Sequence, residues 1–161
     1  MTEKIIQEDL QGLGGWLILV GIGLVITPIR GVFTYFPLYK DIFESGAWNV
    51  LTTPGTSAYH PFWATFLSLE IIINVGLLIA MVYLTYLFFT KRKQFPKFFI
   101  GLAVFSLVFI IVDALSIKIV LPNEPIFDPD TVKELIRTLV VVVIWVPYML
   151  RSKRVKATFI H

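Results

Sequence analysis

The chain has 161 residues, of which 57% are hydrophobic and 16% charged, with a formal net charge of +3. Soluble domains usually contain about 45–50% apolar residues and more charge, so this composition excludes a single water-soluble globule and indicates one compact transmembrane domain over residues 1–161. The absence of cysteine excludes disulfides, thiolate metal sites and a cysteine nucleophile.

A membrane-spanning helix needs roughly 20 mostly apolar residues, and the first such segment runs from about Leu13 to Tyr35. We interpret it as a retained helix rather than a signal peptide. Its apolar stretch is longer than that of a signal sequence, the chain starts Met1-Thr2-Glu3-Lys4, and no A-x-A cleavage pattern follows.

The second span is predicted from about Phe62 to Phe89, with Glu70 as its only charge. A short basic turn, residues 91–97, separates it from the third span, which is predicted from about Phe98 to Val120 and contains Asp113.

Residues 121–130 hold three prolines and three acids, and this composition indicates a loop. The fourth span is predicted from about Thr131 to Leu150. Thr131 and Glu134 have the spacing of a capping box, in which two side chains satisfy the exposed amides at a helix start.

Loop charges predict the orientation, because Lys and Arg are retained on the cytoplasmic side during insertion. The middle loop and the C-terminal segment carry most of the basic residues: Lys91, Arg92, Lys93, Lys97, Arg151, Lys153, Arg154 and Lys156. The other two loops are mainly acidic. We therefore predict an all-α, four-helix transmembrane bundle with both termini in the cytoplasm, and we expect the basic clusters to contact anionic lipid headgroups rather than nucleic acid.

The first outer loop, about Phe36 to Pro61, is the only long connection, and it is rich in aromatic residues among Gly, Ser and Thr. Two interpretations stay open. Either residues 39–51 form a short helix on the membrane surface, or the loop is irregular and its aromatic side chains anchor it in the headgroup zone.

Each predicted span contains one ionisable residue near the same depth, roughly 8–12 Å below its outer end at about 1.5 Å of rise per residue. These residues are Arg30, Glu70, Asp113 and Arg137. Because a charge inside a membrane is costly, the sequence predicts that all four turn inward as one buried, charge-balanced network.

Further polar residues share faces with these charges. Asn74 lies one helical turn after Glu70, Ser106 and Ser116 flank Asp113, and Thr138 adjoins Arg137. Two interpretations of the cluster remain: ion pairs that fix helix register, or a binding site formed by Arg30, Glu70, Asn74, Asp113 and Arg137 that opens to the outer face.

The two ends of the chain carry recognisable motifs. Gly14-Gly15-Trp16-Leu17 with Pro28-Ile29-Arg30, and Trp145-Val146-Pro147-Tyr148 with the segment from Ser152 to Phe159, resemble the opening and closing motifs of a bacterial inner-membrane family catalogued as domain of unknown function 2569. The resemblance implies a four-span inner-membrane protein and carries no catalytic role. The basic closing segment is interpreted as a headgroup anchor or, alternatively, as a docking segment for a partner, because Thr158-Phe159 extends beyond what anchoring requires.

No motif of a hydrolase, metalloprotease or dinucleotide enzyme is present, so we expect no enzyme activity, no cofactor and no metal. The sequence favours a non-catalytic binding, accessory or scaffold protein that associates with lipids, with a membrane-protein partner or with further copies of itself. The alternative is a transporter or channel for protons, ions or a small solute that uses the polar cluster.

Overall fold

A computed structural model describes residues 11–161, and over this range the fold is entirely helical, without strands. The residues Met1 to Lys4, which argued against a signal peptide, lie outside the described residues. Within residues 11–161, six helices follow one another: α1 Trp16–Glu44, α2 Ala47–Thr52, α3 Trp63–Phe89, α4 Phe95–Val120, α5 Pro129–Arg151 and α6 Lys153–Thr158.

Three of the four predicted spans, α1, α3 and α4, are helices long and apolar enough to cross a membrane. The fourth, α5, has 23 residues but a different composition. It carries Lys133, Glu134 and Arg137 near its start and Arg151 at its end, so every stretch of 18 residues within it includes at least three charges.

The first helix is longer than predicted, because it continues past Tyr35 to Glu44 through Pro28 and Pro37. Proline removes one helical N–H and leaves the carbonyl four residues earlier without its usual donor. For Pro28 that carbonyl belongs to Leu24, and the Thr85 hydroxyl on α3 lies 3.1 Å from its oxygen.

The start of α5 differs from the predicted capping box. The capping residue is Asp128, whose carboxylate accepts a hydrogen bond from the Thr131 backbone N–H at 2.7 Å. Pro129 follows at the first helical position, where the missing N–H costs nothing. Thr131 and Glu134 line the cavity between the helices instead of capping α5.

The four long helices pack in chain order: α1 against α3, α3 against α4, and α4 against α5. No comparably extended contact joins α1 to α5, so among the described residues the ring of helices has a seam between its first and last members. We call the end of the bundle with the 91–97 turn and α6 the basic end, and the opposite end the loop end.

The main hydrophobic core closes the basic end. Leu17, Phe88 and Phe95 are at most 1% exposed, and the rings of Phe95 and Phe159 stack with centroids 4.5 Å apart. Val155 of α6 is also fully buried there, so α6 is part of the folded core.

At the loop end, a smaller cluster joins α3 and α4 to the first outer loop. Trp63, Leu67 and Val120 form its buried centre, and Trp48 of α2 packs against it. The loop is therefore neither of the two predicted forms as stated. The extended α1 takes up its first third, a short helix begins only at Ala47, and Trp63 is buried in this cluster.

Candidate ligand-binding cavity

A partly open cavity of about 490 Å³ lies between α1, α3, α4 and α5. The polar residues of its wall lie toward the loop end, beside Phe109 and Ile110; they are Thr27, Arg30, Thr34, Tyr35, Glu70, Asn74, Ser106, Asp113, Thr131, Glu134, Arg137 and Thr138. Toward the basic end its wall is apolar and includes Leu24, Leu84 and Phe99.

The structure brings all five sequence-predicted site residues to this cavity: Arg30, Glu70, Asn74, Asp113 and Arg137. They come from all four long helices. Residues at equal depth meet when each helix turns its polar side toward a common axis, and the polar positions of these helices allow that rotation.

The predicted network of buried ion pairs is wrong. Within residues 11–161 the one ion pair joins Lys40 and Glu44 on the surface, with 3.6 Å between nitrogen and oxygen. Arg30 and Arg137 are exposed, whereas Glu70 and Asp113 are partly buried. The helices are apart where these residues lie, so the ionisable groups face the cavity instead of one another. They therefore avoid the full desolvation that a buried ion pair would require.

Asn74 has a positioning contact of its own. It is 6% exposed, and its side-chain amide donates a hydrogen bond to the Tyr39 hydroxyl at 2.9 Å. The ring of Tyr39 stacks on Tyr35 with centroids 6.0 Å apart. Asn74 thereby links α3 to α1 beside the cavity and helps to place Tyr35 in its wall.

Sequence reasoning missed Tyr35, Thr27 and Thr34 as wall residues. A signal was present, because Thr27, Arg30 and Thr34 have the spacing i, i+3 and i+7 of one helix face. Threonine is common in spans, and its hydroxyl usually bonds to its own helix. Thr27 and Thr34 were therefore not distinguished from structural threonines, whereas the charge of Arg30 was noticed.

Two neighbours of Asp113 lie outside the cavity wall. The Ser116 hydroxyl donates to the carbonyl of Val112 at 2.7 Å, within its own helix. The Lys118 ammonium donates to the carbonyl of Pro122 at 2.8 Å, beyond the helix end. Ser106 is the neighbour that lines the cavity.

The two terminal motifs meet at the basic end. The Gly12 N–H lies 3.1 Å from the Thr158 hydroxyl oxygen, and the Thr158 hydroxyl lies 3.0 Å from the Gly12 carbonyl oxygen. Trp16 packs edge-on against Trp145, with ring centroids 6.3 Å apart. Thr158 and Phe159 are buried, so contacts within the chain account for the segment that extends beyond the basic anchor.

Gly15 lies between these contacts and directly precedes α1. Its φ of 60° is in the left-handed region, which favours glycine and permits the sharp turn into the helix. A Cβ on Gly14 would lie 3.1 Å from Nη1 of Arg154. Small residues at these positions therefore allow the turn and the close approach of the C-terminal segment.

Comparison with known proteins gives one family. A family profile described as "Protein of unknown function (DUF2569)" matches residues 10–160. The chain is 27% identical over 157 residues to the inner membrane protein YdgK of Escherichia coli (strain K12), an alignment that covers 94% of this chain and 95% of that protein. No solved structure matches.

Proposed function

This chain belongs to DUF2569, a family of proteins of unknown function, and we propose that it is a four-span inner-membrane protein that binds a ligand in its cavity without catalysing a reaction. The observation that carries the proposal is the clustering of ionisable side chains from four helices around one space of about 490 Å³. Ionisable groups inside a membrane are costly and are most often functional. Because these groups do not pair with one another, a role limited to internal ion pairs does not account for them.

The charges of α5 are compatible with a fourth span. Its 23 residues extend about 34 Å, enough for a hydrocarbon core of about 30 Å. Glu134 and Arg137 line the cavity rather than the lipid-facing side, and Lys133 lies within the first turns at the loop end. Four spans are consistent with the contact between Gly12 and Thr158 at the basic end.

The basic end is proposed to face the cytoplasm. Lys91, Arg92 and Lys93 lie in the middle turn, and Arg151, Lys153 and Arg154 follow α5, so positive charge gathers there. In this orientation the basic side chains would contact anionic headgroups of the inner leaflet. The polar half of the cavity would then lie toward the outer face.

The cavity supports binding better than conduction. Below its polar half the wall becomes apolar at Leu24, Leu84 and Phe99, and the fully buried core of Leu17 and Phe88 lies beyond. A conducting path needs a wettable lining along its full depth. A transporter would have to part this packed core in each cycle, whereas a binding protein would keep it closed.

Two measurements on the purified full-length protein test the proposal. In liposomes loaded with a pH-sensitive dye, a binding protein leaves an imposed pH gradient as stable as in protein-free liposomes. In native mass spectrometry after mild extraction, wild type retains a small molecule that Glu70→Gln and Arg137→Gln lose. The matched control is Ser116→Ala, which lies on α4 but outside the cavity wall and keeps the molecule.

The outcomes separate the two functions. Dissipation of the gradient by wild type but not by folded Glu70→Gln would establish transport and overturn the binding proposal. Equal retention by wild type and both cavity variants, with folding verified by circular dichroism, would show that the cavity is not the site.

A further inference from the structure

We propose that the ligand is a phospholipid whose headgroup carries a phosphate and a primary ammonium, and that it enters the cavity sideways from the bilayer through the seam between α1 and α5. The inference rests on the proposed binding function and names its ligand class. Three features of the cavity support this ligand: the position of the seam, the order of polar and apolar wall residues, and the placement of the two signs of charge.

The seam gives a route from the lipid. The helices α1 and α5 flank the cavity without an extended contact between them. At the basic end Trp16 and Trp145 bring the two helices together, with ring centroids 6.3 Å apart. Above this aromatic contact, toward the loop end, both helices line the cavity without an extended contact between them, so we expect a lipid molecule to reach it from the bilayer.

The wall has the polarity order of a lipid in the outer leaflet. Its polar residues lie toward the loop end, where Phe109 and Ile110 also line it, and its wall toward the basic end is apolar. A volume of about 490 Å³ is in the range of about 300–1,000 Å³ that holds a drug-sized ligand. Such a space suits a headgroup and its glycerol, while two acyl chains extend through the seam into the bilayer.

The charges are placed in the order of a phosphoethanolamine group. Arg30 and Arg137 belong to α1 and α5, the two helices that flank the seam, and both side chains are exposed. Glu70 and Asp113 belong to α3 and α4, which form the opposite wall, and the third acid, Glu134, lies three residues before Arg137 on α5. In a lipid entering through the seam, the phosphate follows the glycerol and meets the guanidiniums, while the ammonium at the far end meets the carboxyl groups.

The donor chemistry selects among headgroups. A primary ammonium offers three N–H donors to the carboxyl groups, whereas choline offers none and is usually bound by an aromatic cage. Tyr35 and Phe109 are the aromatic residues in the polar half of the wall, and the carboxyl groups of Glu70 and Asp113 there are the groups that match an N–H donor. The cavity wall has three carboxyl groups, those of Glu70, Asp113 and Glu134, and two arginines. A headgroup with only negative charge would therefore be disfavoured relative to one that also carries an ammonium.

The test uses the full-length protein in detergent micelles with equimolar phosphatidylethanolamine, phosphatidylcholine and phosphatidylglycerol of identical acyl chains. Native mass spectrometry should show one phosphatidylethanolamine per chain, retained at least tenfold over the other two lipids. Arg137→Gln and Glu70→Gln should each remove this preference, and Ser116→Ala should keep it. Circular dichroism establishes that the variants are folded.

A second arm separates the lipid from its free headgroup. Soluble phosphoethanolamine should displace the lipid only at concentrations far above that of the protein, because the acyl chains contribute to binding. Displacement at stoichiometric concentration would overturn the lipid assignment in favour of a water-soluble ligand. Retention without headgroup preference, or an unchanged preference in both cavity variants, would overturn the inference. The proposed binding function is tested separately. It requires that those variants lose another molecule that wild type retains from native membranes.

Discussion

The Thr85 hydroxyl oxygen on α3 lies 3.1 Å from the carbonyl oxygen of Leu24 on α1, which Pro28 leaves without its helical donor. The same hydroxyl lies 2.8 Å from the carbonyl of Met81 in its own helix, so its single hydrogen is available to either acceptor. A threonine in one span thus compensates for a proline in another and ties α1 to α3 at the level of the cavity.

Thr85→Val should lower the free energy of unfolding by about 0.5–1.5 kcal/mol, the usual net contribution of one hydrogen bond. Pro28→Ala restores an N–H to the Leu24 carbonyl, so Thr85→Val should cost less in that background. The measurement is a double-mutant cycle of unfolding in mixed micelles. An equal cost in both backgrounds would show that Thr85 does not act through the Leu24 carbonyl.

Gly21 and Gly23 form a matched pair on α1. A Cβ on Gly21 would lie 2.9 Å from Cε1 of Phe88, a ring that is 1% exposed, whereas a Cβ on Gly23 meets nothing within 4 Å. Gly21→Ala should destabilise the protein by about 1–3 kcal/mol through overpacking. Gly23→Ala should leave the melting temperature unchanged or raise it, because alanine favours the helix. Equal melting temperatures for the two variants would contradict the packing described at Phe88.

Phe159 belongs to the core although it is the third residue from the end of the sequence. Phe159→Ala should cost about 3–5 kcal/mol of stability, as large-to-small changes of buried aromatic residues do. Ile160, which is 54% exposed, provides the neighbouring control, and Ile160→Ala should have little effect. Thermal unfolding followed by circular dichroism compares the two. A stable Phe159→Ala protein that has lost a binding partner would restore the docking interpretation of this segment.

The start of α5 should depend on pH through Asp128. The backbone N–H of Thr131 donates to the Asp128 carboxylate and lowers its pKa. Because the pKa is lower in the folded state, the stabilisation is present above the unfolded pKa of about 3.9 and is lost as pH falls through the folded value.

Asp128→Asn keeps an oxygen acceptor at the cap but cannot ionise. Wild type should therefore be the more stable protein at about pH 7, and the difference should shrink toward about pH 3. Thermal unfolding at a series of pH values measures it. A constant difference across the series would mean that the carboxylate charge does not act at this cap.

Topology is tested with reporter fusions. Fusions after Phe95 and at the C-terminus should report a cytoplasmic location, and fusions near Gly55 and Asn123 should report the outer side. An outer C-terminus would reverse the proposed orientation and would place the polar half of the cavity toward the cytoplasm.

Local sequence properties were sufficient to predict the four long helices but not the short helix α6. Hydropathy over windows of about 20 residues identified the segments that form α1, α3, α4 and α5. This works because the length and apolar character of a spanning helix depend on the residues of that segment alone. The ends were less determined. Helix α1 runs nine residues past Tyr35, since a helix that leaves the bilayer is no longer limited by apolar length, and the start of α5 depends on Asp128 rather than on the Thr131–Glu134 spacing.

The sequence by itself determined that the chain is a membrane protein and that Arg30, Glu70, Asp113 and Arg137 share a depth, because composition and helical rise are properties of each segment alone. Only the tertiary structure decided what those residues meet. Whether opposite charges touch or line an open space depends on the separation of helix axes, which packing elsewhere sets. Here the core around Phe88, Phe95 and Phe159 holds the helices together at the basic end, and the charges toward the loop end line a cavity instead of pairing.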